Sequence, residues 1–273
     1  MMEADEIQNL IDECFENNSQ RLNLSRQGIK ALPQSIGKLA NLRYLILHSN
    51  HLTELPEEVG ELRNLERLDL HGNEIKSLPS SIGNLTELRL LEVYYTLQQL
   101  FDIEDHVDRS NVGLTELPVE IGNLTRLKRL ILRNNSLGAL PSQIGNLTDL
   151  EELDLENNNL KALPNEFGNL TNLRTAYLDD NSLIELPDSI GRLKTLDILN
   201  MSRNNLSGLP STIGDLANLR LLRLRDNRLT DLRPEIGRLV NLVQLDIGGN
   251  YLIGLPPEIG NLSKLEQLGI ESN

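Results

Sequence analysis

Imidazoles and carboxylates are the side chains here that could hold a metal or move a proton, and they are not scattered. His48, His51 and His71 lie close together, and His106 stands among Asp102, Glu104, Asp105 and Asp108. His48 and His71 are 23 residues apart, and two imidazoles in one column of adjacent strands could share a zinc ion. Neither H-E-x-x-H nor C-x-x-C occurs, however. Ordinary polar contacts are therefore the preferred reading, and no metal and no cofactor is expected. Cys14 is the single cysteine. It sits on an apolar stripe with no His close in sequence, a poor setting for a thiolate nucleophile. The phosphate-binding G-x-x-x-x-G-K-[ST] loop and the G-x-S-x-G elbow are also missing. No catalytic residue is assigned, and the chain is not expected to be an enzyme.

The spacing of 23 belongs to the whole chain. Leu32, Leu55, Leu78, Leu117, Leu140, Leu163, Leu186, Leu209, Leu232 and Leu255 share one register, each followed by Pro except Leu232. Every step is 23 residues except 78 to 117, which is 39, leaving an insertion of 16 at about 96–111. Within one unit, Leu65, Leu68, Leu70 and Ile75 are the apolar positions and Asn73 is a fixed amide. Alternation around Leu68 and Leu70 predicts a short strand with Leu inward and Arg67, Asp69 and His71 outward. An Asn column runs through Asn50, Asn73, Asn135, Asn158, Asn181, Asn204, Asn227 and Asn250. A short amide can donate to and accept from backbone groups that a turn leaves unpaired. The Leu-Pro-x-x-Ile-Gly stretch leaves room for one 3₁₀ or helical turn, with Pro fixing the turn and Gly expected to supply a left-handed reversal.

This 23-residue Leu-Pro-x-x-Ile-Gly-x-Leu-x-x-Leu pattern, over about residues 19–273, resembles the intracellular Ras-group-like leucine-rich-repeat proteins, bacterial relatives included. The resemblance implies an α/β fold: a right-handed solenoid, or horseshoe, with about eleven parallel strands inside and short turns outside. It also implies a scaffold or adaptor role and names no partner. Residues 1–18 are expected to be a capping helix, with Ile7, Leu10, Ile11, Cys14 and Phe15 on one face. The last strand finishes at Asn273 with no polar cap after it, and the expectation drawn is that the chain has been cut from something longer.

Framework positions leave the outward strand residues and adjoining loops to carry specificity. All five tyrosines, Tyr44, Tyr94, Tyr95, Tyr177 and Tyr251, are expected there, and Tyr is enriched in interfaces. Tyr44, His48, His71, Tyr94 and Tyr95, with the insertion, form the first predicted contact set. Glu152, Asp154, Tyr177, Asp179, Arg223 and Arg225 form the second. Glu156 and Asp180 extend its acidic part, while Arg203 and Arg228 extend a basic patch. Arg129 and Arg133 precede both. The insertion is expected to hold a short helix leaning over the concave rim.

The formal net charge of −14 argues against nucleic acid and against anionic membranes, which need a basic field. Residues 1–18 carry six acids and no Lys or Arg. One cysteine fits a reducing compartment, so a cytoplasmic location is expected. A protein partner on the concave face is the favoured function. A targeting region of a larger GTPase, kinase or ubiquitin ligase is one alternative, and a structural or designed solenoid without a partner is another.

Overall fold

The computed structural model describes residues 2–95 and 113–273. The insertion at 96–111, its proposed helix and His106 lie outside the described residues. Eleven parallel strands of three residues follow one another in chain order, as the repeat count predicts. The chain divides into two compact units, Met1–Leu137 and Gly138–Asn273.

In the first unit, α1 (Ala4–Glu16) precedes β1 (Arg21–Asn23), β2 (Tyr44–Ile46), β3 (Arg67–Asp69), β4 (Leu90–Glu92) and β5 (Arg129–Ile131). The strands pair in an unshifted register, so Leu22, Leu45, Leu68, Leu91 and Leu130 form one inward column. These leucines are 6% exposed or less, and burying each contributes roughly 1.5–3 kcal/mol relative to exposure. The helix α1 packs on β1 and on the turn Gln34–Lys38, burying Ile7, Ile11 and Cys14. Phe15, expected on the same stripe, is instead 57% exposed. It sits one residue from the C-terminus of the helix, where nothing extends far enough to cover it. Burial, opposed by a hydrogen bond with Ser19, raises the Cys14 thiol above its ordinary pKa, which keeps it unreactive at neutral pH.

The second unit holds β6 (Glu152–Asp154), β7 (Thr175–Tyr177), β8 (Ile198–Asn200), β9 (Leu221–Arg223), β10 (Gln244–Asp246) and β11 (Gln267–Gly269). They pair in the same in-register parallel way. Asp154 and Tyr177 therefore fall in one outward column, together with Asn200 and Arg223.

Between strands the chain makes a five-residue 3₁₀ turn, as at Glu57–Glu61 and Ser142–Asn146, each preceded by an extended proline. The glycine of Leu-Pro-x-x-Ile-Gly does not reverse the chain. Left-handed backbone occurs elsewhere, one residue before the Asn column, at Ser49, Asn134, Asn157, Asp180, Arg203 and Asp226. Glycine is needed in the turn because the next turn presses on it. A Cβ on Gly145 would sit 2.4 Å from the carbonyl oxygen of Glu166.

The Asn column works as its chemistry requires. In the second unit, the Oδ1 of Asn181 accepts from the Leu160 N–H at 3.0 Å, and its Nδ2 donates to the Leu155 carbonyl at 2.9 Å. Asn204 and Asn227 repeat the pattern one unit further along each time. In the first unit Asn135 spans the insertion: it accepts from the Leu114 N–H at 2.8 Å and donates to the Val93 carbonyl at 2.7 Å.

Candidate functional site

Strand alternation sends the residue after each inward Leu back to the outer face. In the first unit this places His48, His71 and Tyr94 in one column, because β2, β3 and β4 are in register. The rings stack. His48 and His71 have centroids 4.5 Å apart and His71 and Tyr94 5.0 Å apart, each pair 9° from parallel. These spacings follow the roughly 4.8 Å between strands. Arg133 completes the column, its Cζ 4.5 Å from the centre of the Tyr94 ring. Tyr94 and Arg133 are neighbours because β4 pairs directly with β5, Leu90 opposite Arg129, so the insertion leaves the register intact.

Beneath the ladder is an ionic set. Asp69, 2% exposed, lies with Oδ1 2.7 Å from His71 Nδ1. Arg67 Nη2 donates to Asp69 Oδ2 at 3.2 Å and to Glu92 Oε2 at 2.8 Å. Burial alone would raise the Asp69 carboxyl, but its hydrogen bond with His71, the charge of His71 and that of Arg67 bring it below its ordinary range. His48 is lowered, first by burial and then by His71, Arg26 and Arg67, against the pull of Asp69. The neutral imidazole is thus the favoured form of His48. Tyr94 is raised, chiefly by burial and then by Glu92 and Asp69, while Arg133 opposes the rise.

Of the first predicted set, Tyr44, His48, His71 and Tyr94 reach the outer face, Tyr44 at 38% exposure. Tyr95 does not. It is 9% exposed, and burial drives its phenol up to about 12. The alternation that buries Leu91 and Val93 and turns Glu92 and Tyr94 outward continues one residue further, so Tyr95 turns inward against Gly113. His51 also leaves the ladder: its Nδ1 lies 3.1 Å from Glu74 Oε1. Asp69, Arg67 and Glu92 were not predicted as site residues. Part of the signal was available, since Arg67 shares a strand column with Tyr44 and Asp69 and Glu92 are paired in register with each other.

In the second unit, Tyr177 is partly buried and Asp154 and Asp179 are only 4% and 5% exposed. Their columns are outward, but flanking side chains cover them. Burial, then Glu152 and Asp154, raises the Tyr177 phenol, with Arg223 opposing. The expected separate basic patch is divided by its ion pairs. Arg203 donates to both oxygens of Asp180 at 2.5 Å and to Asp179 Oδ2 at 3.2 Å. Arg225 donates to Glu271 at 2.7 Å. Among the described residues, one group of carboxylates, Glu156, Asp179 and Asp180, is spaced closely enough to hold a cation.

No helix among the described residues is long and apolar enough to cross a membrane. A leucine-rich repeat region model matches residues 21–104 and 106–179, and a second leucine-rich repeat model matches 171–229 and 217–273. None of the curated proteins matches the sequence. Among solved structures, a leucine-rich-repeat protein of Leptospira interrogans is 33% identical with a TM-score of 0.72, over 96% of this chain and 69% of that one. InlJ of Listeria monocytogenes is 25% identical with a TM-score of 0.72, over 91% of this chain and 48% of its own. The Arabidopsis receptor kinase HAESA, solved in complex with the peptide hormone IDA and the co-receptor SERK1, is 25% identical with a TM-score of 0.69, over 93% of this chain and 46% of its own.

Proposed function

Because the chain belongs to the leucine-rich-repeat family, we propose that it is a non-catalytic recognition scaffold that holds a protein partner on the solvent-facing side of its strands, the concave face of the solenoid. The observation that carries this reading is the ladder of His48, His71 and Tyr94 ending in Arg133. A fold built on Leu and Asn does not need three stacked polar rings. Set in register on a rigid sheet, they present preorganised side chains, which lowers the ordering cost of binding. Ring edges carry partial positive charge and Arg133 adds a full one, so carboxylates of a partner suit this column. Tyr44 extends the same contact set. Glu152, Asp154, Tyr177, Asp179, Arg223 and Arg225 are the second set, with Asp154 and Asp179 supporting their neighbours from below. The complex of HAESA with a peptide hormone and a co-receptor is in keeping with partner recognition by such repeats. We read the 23-residue signature as the intracellular Ras-group-like type and the buried, reduced Cys14 as suited to a cytoplasmic setting.

The test compares crosslinked capture from source-cell lysate by the wild-type chain and by a Tyr44→Ala, Tyr94→Ala, Arg133→Ala variant. A protein captured by the first and lost from the second, with unchanged circular dichroism, is the expected result. Undiminished capture by the variant would remove the ladder from the binding face.

A further inference from the structure

Where the chain leaves β6, β7 and β8, three carboxylates and one guanidinium converge. Glu156 follows β6, Asp179 and Asp180 follow β7, and Arg203 follows β8. One oxygen from each of Glu156, Asp179 and Asp180 lies within 4.8 Å of the others. Arg203 satisfies both oxygens of Asp180 and the Oδ2 of Asp179. The remaining oxygen, Asp179 Oδ1, is buried and has no hydrogen-bond partner, in a residue only 5% exposed. Leaving a buried charged acceptor unpaired is costly. The three acids outnumber the single Arg203, so the cluster retains negative charge that its own side chains do not neutralise.

We propose that Glu156, Asp179 and Asp180 form a binding site for a calcium-type divalent cation, with the orphaned Asp179 Oδ1 as its central ligand. The donors are all oxygens and mostly anionic, which selects a hard cation over zinc or copper. Coordination geometry decides between calcium and magnesium. Ca²⁺ accepts an irregular shell of oxygens, whereas Mg²⁺ demands a near-ideal octahedron and gives up its waters reluctantly. Three carboxylates within 4.8 Å of one another, crowded by Arg203, suit the more tolerant ion, with water completing the shell on the solvent side. Arg203 is a built-in competitor, because it occupies Asp180 and repels a second cation. Affinity is therefore modest, on the order of 10⁻⁴–10⁻³ M, the range of weak calcium modules. The site stands on this cluster alone and does not depend on the partner reading above.

Isothermal titration of the full chain with calcium chloride, after chelator treatment, tests it. The wild-type chain is expected to bind one ion, with magnesium at least about tenfold weaker. Asp179→Asn keeps the side-chain shape and removes the central ligand charge, and should weaken binding at least about tenfold. Arg203→Ala should tighten it. The proposal is overturned if the wild-type chain binds no calcium, or if Asp179→Asn binds as the wild type does. Circular dichroism of Asp179→Asn separates loss of the site from loss of the fold.

Discussion

The Nδ1 of His71 lies 2.7 Å from the Oδ1 of Asp69, so the middle ring of the ladder is anchored from below by a buried carboxylate. Arg67 holds the other oxygen of that carboxylate at 3.2 Å. The pair fixes the ring plane on which His48 and Tyr94 stack, and it links the exposed column to the strand core.

This anchor makes the first unit acid-sensitive in two steps. Asp69 has a depressed folded-state pKa, through burial outweighed by His71 and Arg67. Its contribution is present above the ordinary carboxylate pKa, near 3.8, and is lost as pH falls through the lower folded value. His48 is depressed below 6.5, mainly by burial, so its contribution fades as pH drops below about 6.5. Urea unfolding across this range should show His48→Ala losing less stability than wild type between neutral pH and pH about 5. Asp69→Asn should cost roughly 1.5–3 kcal/mol at neutral pH, the range for hydrogen bonds to charged groups, and approach the wild type in strong acid. An Asp69→Asn chain as stable as wild type at neutral pH would disprove the anchor.

Arg133 over Tyr94 makes a separate claim. The guanidinium favours the phenolate and opposes the rise that burial, Glu92 and Asp69 impose on Tyr94. Arg133→Ala should therefore raise the Tyr94 pKa further. Ultraviolet tyrosinate titration measures this, with Tyr94→Phe subtracted to isolate the one phenol. Tyr95, held at about 12, titrates last and does not interfere. A Tyr94 pKa that falls in Arg133→Ala would refute the stacking.

How much of this was legible in the sequence depends on whether a residue obeys the repeat. Strand columns follow from register alone, so His48, His71 and Tyr94 could be placed together from 23-residue spacing. Tyr95 was legible too, since the alternation that turns Tyr94 outward sends its neighbour inward, and the expectation that both face outward ignored that period. The burial of Asp154 and Asp179 was illegible for another reason. Period two says which face a residue points to, and what covers it depends on side chains of neighbouring strands. The Ile-Gly glycine was recognised as necessary, but for the wrong cause, since sequence does not reveal that the following turn lies on top of it. The Asn column was read correctly because its partners are backbone groups, which every repeat supplies in the same place.

That column gives a contrast in stability. Asn181→Ala strips the acceptor from the buried Leu160 N–H and the donor from the Leu155 carbonyl. The carbonyl keeps its hydrogen bond from Asn158 Nδ2 at 3.1 Å, so the orphaned Leu160 N–H sets the expected loss at about 1–3 kcal/mol. Asn172 also donates to a carbonyl, that of Thr148 at 2.9 Å, but at an exposed site. Water can replace it there, and Asn172→Ala should stay within about 0.5 kcal/mol of wild type. Chemical denaturation of both variants checks this; equal losses would mean the buried amides are not what holds adjacent repeats together.

Two glycines in the second unit separate packing from backbone freedom. Gly138 has nothing within 4 Å of where a Cβ would stand, and its φ is not left-handed. Gly138→Ala should therefore stabilise by about 0.4–1 kcal/mol, by restricting the unfolded chain. Gly145 has an equally permissive backbone, yet an added Cβ would meet the Glu166 carbonyl oxygen at 2.4 Å and the Glu166 Cβ at 2.7 Å. Those atoms belong to the next turn, which can retreat only by opening the contact between repeats. Gly145→Ala should cost roughly 1–3 kcal/mol, the range for overpacking. Opposite signs in thermal unfolding of the two variants would establish that repeat spacing, not chain reversal, requires the Ile-Gly glycine. A stabilised Gly145→Ala chain would show that the turns can move apart at little cost, and the close approach would then lose its structural meaning.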